Sequence, residues 1–210
     1  IFSRDMKAHM KLFLFNRNEH ICRADEQLKY LFFFVEGKAK VYTSLSNGKS
    51  LLLCFYKPFK VLGDVEIIDS DTANSNVQVI EDAYCIGISL EDIRKFAFDD
   101  SKFLRFICKE LGDKLDRLSK FSSINLLYPL ENRLASFILA TLSCKEDVNT
   151  REITFDGNLS EISELLGTSY RHLMRTLNTF CSRGAIRKSD SYYEVIDIEV
   201  LEKLAVELYV

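Results

Sequence analysis

Short apolar runs separated by turn residues dominate the first half of the chain. Each run is rich in Phe, Tyr, Val, Ile and Leu, the residue types that favour β-strands. The predicted strands cover residues 30–35, 39–43, 50–56, 77–80 and 83–89. Turn signals lie between them at Glu36-Gly37, Asn47-Gly48, Lys57-Pro58 and Gly63-Asp64. Asn47-Gly48 favours a type I′ hairpin, and the whole pattern is typical of a barrel, roll or sandwich.

A long helix is predicted to begin near Ser101. One apolar stripe recurs at spacings of 4, 3, 4 and 3 residues, which is the seam of a coiled coil. The residues of this stripe are Leu104, Cys108, Leu111, Leu115 and Leu118. A second stripe of Phe103, Phe106 and Ile107 favours packing on the β-domain. We therefore expect a helix that packs on its own domain and on a twin helix, although packing on its own domain alone would also explain an apolar face.

The chain after Tyr128-Pro129 is predicted as a second domain, since proline cannot continue a preceding helix. A helix is predicted over 130–143, with Leu134, Phe137, Ile138 and Leu142 facing inward. A strand over 151–155 and a hairpin over 185–196, turned at 189–191, follow. A terminal helix carries Leu201, Leu204 and Leu208. The predicted domains are 1–100, 101–128 and 129–210.

The segment 158–189 carries the pattern of a helix-turn-helix. The first helix places Ile162, Leu165 and Leu166 on one face, and it stops at Gly167, which tolerates the left-handed backbone of a tight turn. Thr168 and Ser169 offer capping oxygens to a second helix, whose inward residues are Leu173 and Leu177. Near the start of that second helix, where a recognition helix contacts base edges, lie Tyr170, Arg171, His172 and Arg175.

No Asp or Glu occurs from Leu165 to Ser189, although the chain as a whole has a net charge of −3. The basic residues of this window are Arg171, Arg175, Arg183, Arg187 and Lys188. Because DNA phosphates repel carboxylates, the window favours DNA binding over an ordinary helical hairpin packed in a core. The acidic net charge argues against non-specific coating of nucleic acid but permits one positive patch.

Composition narrows the class of protein. With 47% hydrophobic and 28% charged residues, the chain has the composition of a soluble globular protein, and no apolar run is long enough to span a bilayer. No signal peptide is apparent at the beginning of the sequence. The six cysteines form no CxxC pair, which favours reduced, buried thiols and a cytoplasmic location over an iron–sulfur cluster or a metal site.

Catalysis is not indicated. The carboxylate pairs Glu91-Asp92, Asp99-Asp100 and Glu146-Asp147 lie where acids cap helices or occupy loops. No nucleophile motif, metalloprotease motif, phosphate-binding loop or dinucleotide fingerprint is present. The sequence therefore predicts no catalytic residue and no enzyme. A transcription regulator is the first hypothesis, and a protein-interaction module whose winged helix binds a protein partner is the alternative.

The order of these elements resembles the CRP/FNR family of bacterial transcription factors, from about residue 20 to residue 196. The motifs that carry the resemblance are LFFFVEGKAKVYTSLSNGKSLLL, FKVLGDVEII, the leucine-seamed helix and ISELLGTSYRHLMRTLNTFCSRGAI. The sequence of the recognition helix most resembles that of a YeiL-like branch. The resemblance implies an α+β protein: an N-terminal double-stranded β-helix (a jelly-roll, cyclic-nucleotide-binding-like domain), a long dimerisation helix and a C-terminal winged helix-turn-helix.

The resemblance also implies DNA-binding roles for specific residues. The positions that match Ser169, Tyr170, Arg171 and Arg175 face phosphates and bases in the family, and Arg175 lies where an arginine reads guanine. Arg171 replaces a glutamate that commonly reads cytosine, so we expect a different half-site. The full predicted DNA-binding set is Thr168, Ser169, Tyr170, Arg171, His172, Arg175, Arg183 and Lys188. The implied partners are a palindromic double-stranded DNA operator, a second copy of the chain and, as a candidate, RNA polymerase.

The predicted effector pocket departs from the cyclic-nucleotide pattern. Gly63 and Asp64 match a family Gly-Glu pair that binds ribose, while Asn74 and Ser75 fall where an Arg-Ser pair binds the cyclic phosphate. No basic residue lies between Lys60 and Arg94, and a buried phosphate without a cation is costly to desolvate. We therefore do not expect cyclic AMP or cyclic GMP.

Two other cofactors of the family are not expected either. The N-terminal cysteine cluster of the oxygen-sensing branch is absent, which argues against an iron–sulfur cluster. The three histidines are His9, His20 and His172, and His172 belongs to the recognition helix, so the sequence does not indicate a haem ligand.

Overall fold

A computed structural model describes residues 1–68, 72–147, 150–155, 158–190 and 192–205, with the backbone alone for 143–147 and 150–154. The chain forms two compact units. One comprises Ile1–Ser46 and Leu53–Lys120, and the other comprises Asn47–Leu52 and the described residues from Phe121 onward. The predicted positions Cys144 and Leu208 lie outside the described side chains.

A six-stranded antiparallel sheet builds the N-terminal domain, in agreement with the predicted β-roll class. Its strand order is β1-β6-β3-β4, with β2 paired to β6 and β5 paired to β3. The strands are β1 (Met10–Phe15), β2 (His20–Cys22), β3 (Tyr30–Ser44), β4 (Ser50–Tyr56), β5 (Lys60–Leu62) and β6 (Asn76–Ser89). A core of strand side chains that includes Phe32, Phe34 and Val79 fills the domain.

One predicted turn and one predicted break between strands are wrong. Strand β3 runs through Glu36-Gly37, and β6 runs through residues 81–82, where separate strands were expected. The pairing of β3 with β6 shifts register around Glu36, so the residues that look like a turn form a β-bulge. Gly37 has φ +94°, and a Cβ there would lie 2.3 Å from the carbonyl oxygen of Asp82. The glycine is therefore required by a close backbone approach within the sheet.

In the N-terminal domain, four short elements were not predicted: β1, β2, β5 and the helix α1 (Leu90–Phe96). Strands β2 and β5 have three residues each, too few to show an alternating pattern of apolar and polar residues. The pattern of β1 is weak because its exposed residues Leu12 and Leu14 are apolar. Ser89 caps the start of helix α1, because its side chain accepts a hydrogen bond from the backbone N–H of Asp92 at 3.1 Å.

The long helix α2 spans Ser101–Leu127, as the heptad-like pattern predicted. Phe103 and Ile107 are buried in a second core with Leu31, Ile88 and Ile93, which confirms that one stripe packs on the β-domain. The division between the two compact units falls within α2, between Lys120 and Phe121.

The second unit combines helices with a four-stranded sheet of order β7-β8-β10-β9. Its elements are α3 (Leu130–Thr141), β7 (Ser143–Asp147), β8 (Thr150–Phe155), α4 (Leu159–Leu165), α5 (Tyr170–Ser182), β9 (Ile186–Lys188), β10 (Tyr193–Val195) and α6 (Ile198–Leu204). Helix α3 ends before the predicted residue 143 because Leu142 adopts an extended conformation, from which β7 pairs with β8. The hairpin of β9 and β10 is the predicted wing.

Candidate nucleic-acid interface and effector pocket

Local capping fixes the two helices of the helix-turn-helix. The side chain of Asn158 accepts hydrogen bonds from the backbone N–H groups of Ser160 and Glu161 at the start of α4. Gly167, at φ +60°, supplies the left-handed turn that the sequence predicted. The Ser169 hydroxyl then accepts from the backbone N–H of His172 at 3.2 Å and caps α5.

Apolar burial orients α5. Leu173, Leu177 and Phe180 are fully buried, so the opposite side of the helix faces outward. The guanidinium group of Arg133, on α3, donates to the carbonyl oxygen of Leu166 at 2.6 Å. The turn between the two helices is therefore tied both to the core and to α3.

The outward face of α5 carries the predicted contact residues. Tyr170, Arg171, His172 and Arg175 are all exposed, and the Thr168 hydroxyl lies 3.3 Å from Nδ1 of His172. Asn178 and Ser182 are exposed on the same face but were not predicted. Their spacing of three and seven residues from Arg175 was the available indication, because those positions share a helix face.

Two basic residues of the acid-free window form ion pairs with glutamates from outside the window. Arg183 pairs with Glu131 of α3, and Arg187 pairs with Glu194 across the wing. The hydrogen bond from Arg187 lowers the pKa of Glu194, so that carboxylate is charged at neutral pH. Arg171, Arg175 and Lys188 are exposed and form no ion pair within the described parts of the chain. The uncompensated positive charge is therefore concentrated on α5 and at the end of β9.

The predicted seam of α2 is solvent-accessible in the single chain. Leu104, Leu115 and Leu118 expose 40%, 69% and 47% of their surface, and Cys108 is exposed as well, while Leu111 is half-buried. Leu126 and Leu127 extend the exposed apolar surface to the end of the helix. Such a row of exposed leucines on one helix is typical of an interaction surface.

The residues predicted for the effector pocket are only partly brought together. Asn74 and Ser75 line a cavity of about 290 Å³ inside the first unit. Gly63 and Asp64 are buried and do not line it, but the Asp64 carboxylate pairs with Lys114, which does. The other Asp64 oxygen, Oδ2, has no hydrogen-bond partner among the described residues.

Two cations from the long helix were missed in this pocket. Lys114 and Arg117 of α2 line the cavity together with Glu66. The predicted pocket contained no basic residue because none lies between Lys60 and Arg94, whereas the fold brings in two residues about fifty positions further along. Since Lys114 is paired with Asp64 and Glu66 lies in the same wall as Arg117, the lining has little net positive charge.

Comparison with known proteins matches both halves of the chain. Residues 12–100 match the model of the cyclic nucleotide-binding domain, and residues 132–204 match that of the Crp-like helix-turn-helix domain. The regulatory protein YeiL of Escherichia coli O157:H7 is 33% identical over 207 residues, which cover 99% of this chain and 91% of that protein. The chain belongs to the CRP/FNR family. Within that family it falls in the YeiL-like branch.

More distant relatives and solved structures also match most of the chain. A CRP-like cAMP-activated global transcriptional regulator of Mycobacterium tuberculosis is 22% identical, covering 91% of this chain and 86% of that protein. A transcriptional regulator of the family from Eubacterium rectale superposes with a TM-score of 0.80 at 14% identity, covering 95% and 91% of the two chains. FixK2 from Bradyrhizobium japonicum superposes with a TM-score of 0.67 at 18% identity, covering 94% and 98%.

Membership of the CRP/FNR family makes the chain a transcription regulator with a helix-turn-helix DNA-binding domain, and not an enzyme. Within the described residues, no group of three or more His, Cys, Asp or Glu side chains is arranged to hold a metal ion. Across the same residues, no helix is both long and apolar enough to cross a bilayer.

Three cysteines of the N-terminal β-domain have raised pKa values. Burial raises the pKa of Cys22 to about 12, that of Cys54 to about 11 and that of Cys85 to about 12. Because the thiolate is the reactive species, the raised pKa values disfavour reaction of these three thiols at neutral pH. Cys54 lines the effector pocket, so this part of its wall behaves as a small apolar group.

Proposed function

We propose that the protein is a homodimeric, sequence-specific regulator that reads DNA with α5. The observation that carries the proposal is the exposed pair Arg171 and Arg175, which lie four residues apart on one helix face and have no acidic partner among the described residues. Guanidinium groups on the outer face of a recognition helix match the bidentate acceptors of guanine.

Each predicted residue has a distinct proposed role. Arg175 reads a guanine, Arg171 contacts a base or a phosphate, and Ser169, Tyr170 and His172 contact the backbone near the start of α5. Thr168, in the turn before α5, and Lys188, in the wing hairpin, add contacts to the DNA backbone. Arg183 contributes less than its charge suggests, because Glu131 already neutralises it.

Pairing through α2 supports a palindromic operator. Two recognition helices related by a two-fold axis read half-sites about one helical turn, roughly 34 Å, apart. The exposed seam of Leu104, Cys108, Leu115 and Leu118 supplies the apolar surface that such pairing would bury. We propose the three-part organisation 1–100, 101–128 and 129–210 on the same grounds, with a cytoplasmic site of action and RNA polymerase as a candidate partner.

The signal sensed by the β-roll is proposed not to be a cyclic nucleotide. A cyclic phosphate in the 290 Å³ cavity would meet Arg117, but also the carboxylate of Glu66, while Lys114 is held by Asp64. The volume of about 290 Å³ lies just below the range of about 300–1,000 Å³ typical of ligand pockets. Titration calorimetry with cyclic AMP and cyclic GMP should therefore give no saturable heat.

Selection from random duplex DNA tests the main proposal. We expect enrichment of a two-fold symmetric motif, bound by a dimer, with an affinity that falls steeply as salt rises. Arg105→Ala is the matched control for substitutions of Arg171 and Arg175, because it removes an exposed positive charge outside the DNA-binding domain. No enriched motif, with binding insensitive to salt, would contradict the proposal and favour a winged helix that binds a protein partner.

A further inference from the structure

A second and larger cavity lies in the first unit, separate from the effector pocket. Its volume is about 580 Å³, twice that of the effector pocket, and the two share no lining residue. Ten of its twelve lining residues are apolar, and five of them are phenylalanines. A cavity of this size and composition matches pockets that take drug-sized ligands, about 300–1,000 Å³ and mostly apolar.

The residue at the rim of this cavity is conformationally unusual. Phe59 exposes 88% of its surface and has φ +71°, in the left-handed region where a bulky side chain is strained. Its backbone N–H donates to the carbonyl oxygen of Phe34 at 2.8 Å, which holds the turn in place. Glycine would adopt this turn without strain, and the exposed ring gains little from packing. The aromatic side chain at this position is therefore better explained by contact with a ligand than by the stability of the turn.

The opposite walls are preformed by aromatic contacts. Phe2 stacks on Phe103 with ring centroids 5.2 Å apart, and it meets Phe33 edge-on at 6.3 Å. Phe33 in turn lies 6.2 Å from Phe106 of α2. The hydroxyl of Ser3 donates to the Asp100 carboxylate at 2.7 Å and so fixes the segment that carries Phe2. The cavity is thus shaped before any ligand arrives.

The charges of the lining define the chemistry of the occupant. Lys60 and Glu110 are the two charged residues of the wall, and their charges cancel. A ligand with a net charge would lose its hydration without a matching counter-charge. We propose that this cavity binds a neutral, largely apolar small molecule, with the ring of Phe59 forming the outer wall of the site. The proposal is independent of DNA reading and of the effector pocket.

Fluorescence titration of the full chain with N-phenyl-1-naphthylamine, a neutral apolar probe, tests the proposal. We expect saturable binding of one probe per chain. Phe59→Gly should weaken binding about tenfold, by loss of an aromatic contact surface, while the protein unfolds at an equal or higher denaturant concentration because glycine relieves the strained turn. Val35→Trp, at a partly exposed lining position, should block the cavity from its rim.

Two controls separate this site from other apolar surfaces. Leu45→Ala removes a side chain that is 56% exposed and lies outside the cavity, so it should leave probe binding unchanged. Arg117→Ala alters the effector pocket and should also have no effect. The proposal is overturned if wild-type protein binds no probe saturably, if Arg117→Ala abolishes binding, or if both Phe59→Gly and Val35→Trp bind like wild type. DNA binding of Phe59→Gly should be unchanged, which distinguishes failure here from failure of the proposed regulator.

Discussion

The carboxylate of Asp64, fully buried after strand β5, pairs with the ammonium group of Lys114 on helix α2. The two residues lie fifty positions apart and join the β-roll to the long helix at the wall of the effector pocket. A buried carboxylate depends on its counter-ion, since unpaired charges are costly in an apolar interior. The contact therefore links the folding of the N-terminal β-domain to the position of helix α2.

Loss of one partner should be far more costly than loss of both. We expect Lys114→Met to reduce the free energy of unfolding by ~3 kcal/mol, because it leaves the Asp64 carboxylate buried without a counter-ion. Asp64→Asn combined with Lys114→Met should recover a large part of that loss. Urea denaturation of both single variants and the double variant gives the coupling energy of the pair. Strictly additive effects would contradict the link described above.

The elements of this fold that could be predicted from the sequence are those with a regular period. The helix α2 and the Gly167 turn could be predicted because helical spacing and a left-handed glycine have local causes. Strand β7 was missed because its pairing with β8 depends on backbone hydrogen bonds between segments that show no alternating pattern. Strand β3 was predicted as two strands because Glu36-Gly37 suits a turn as well as the β-bulge that it forms.

The candidate sites show the same division between local and distant causes. The exposure of Arg171 and Arg175 followed from helix periodicity, whereas the pairing of Arg183 with Glu131 joins residues 52 positions apart. Lys114 and Arg117 likewise enter the effector pocket from a different element. The sequence alone therefore overestimates the positive charge on the surface of the helix-turn-helix. It underestimates the positive charge in the lining of the effector pocket.

Arg175 should determine one base of each half-site. Arg175→Ala is expected to relax the preference at that position at a cost of ~1–3 kcal/mol, and Arg175→Lys should not restore it because an ammonium group cannot make the bidentate contact. Binding to the selected operator and to single-base variants, measured at several salt concentrations, provides the readout. If affinity falls equally for all sequences and the salt slope decreases by about one, Arg175 contacts a phosphate instead.

Disruption of the α2 seam should abolish dimers and, with them, tight operator binding. Leu115→Glu places a charge at a 69% exposed apolar position, so the fold of the single chain should survive while self-association is lost. Sedimentation velocity measures the association state, and circular dichroism confirms folding. Lys109→Glu, on another exposed face of the same helix, is the matched control.

Cys108 offers an independent test of parallel pairing. In a parallel pair of α2 helices the two copies of Cys108 face each other across the seam, so mild oxidation should join two chains by a disulfide. Non-reducing electrophoresis should show the covalent dimer in wild-type protein and not in Cys108→Ser. A dimer that forms in sedimentation but never cross-links through Cys108 would place the interface elsewhere.

Cys22, Cys54 and Cys85 should react far more slowly than Cys108, which is exposed in the single chain. Because burial raises the pKa of Cys22, Cys54 and Cys85 to about 12, about 11 and about 12, their thiolate fractions at pH 8 are on the order of one in a thousand or less. Alkylation of the Leu115→Glu variant, whose seam no partner covers, with iodoacetamide, followed by peptide mass spectrometry, should label Cys108 first and Cys22, Cys54 and Cys85 only after urea is added. Cys108→Ser should remove the rapid labelling of that peptide and leave the other rates unchanged. Labelling of Cys22 or Cys54 in the native protein at the rate of Cys108 would instead make the sensor domain a candidate for redox control.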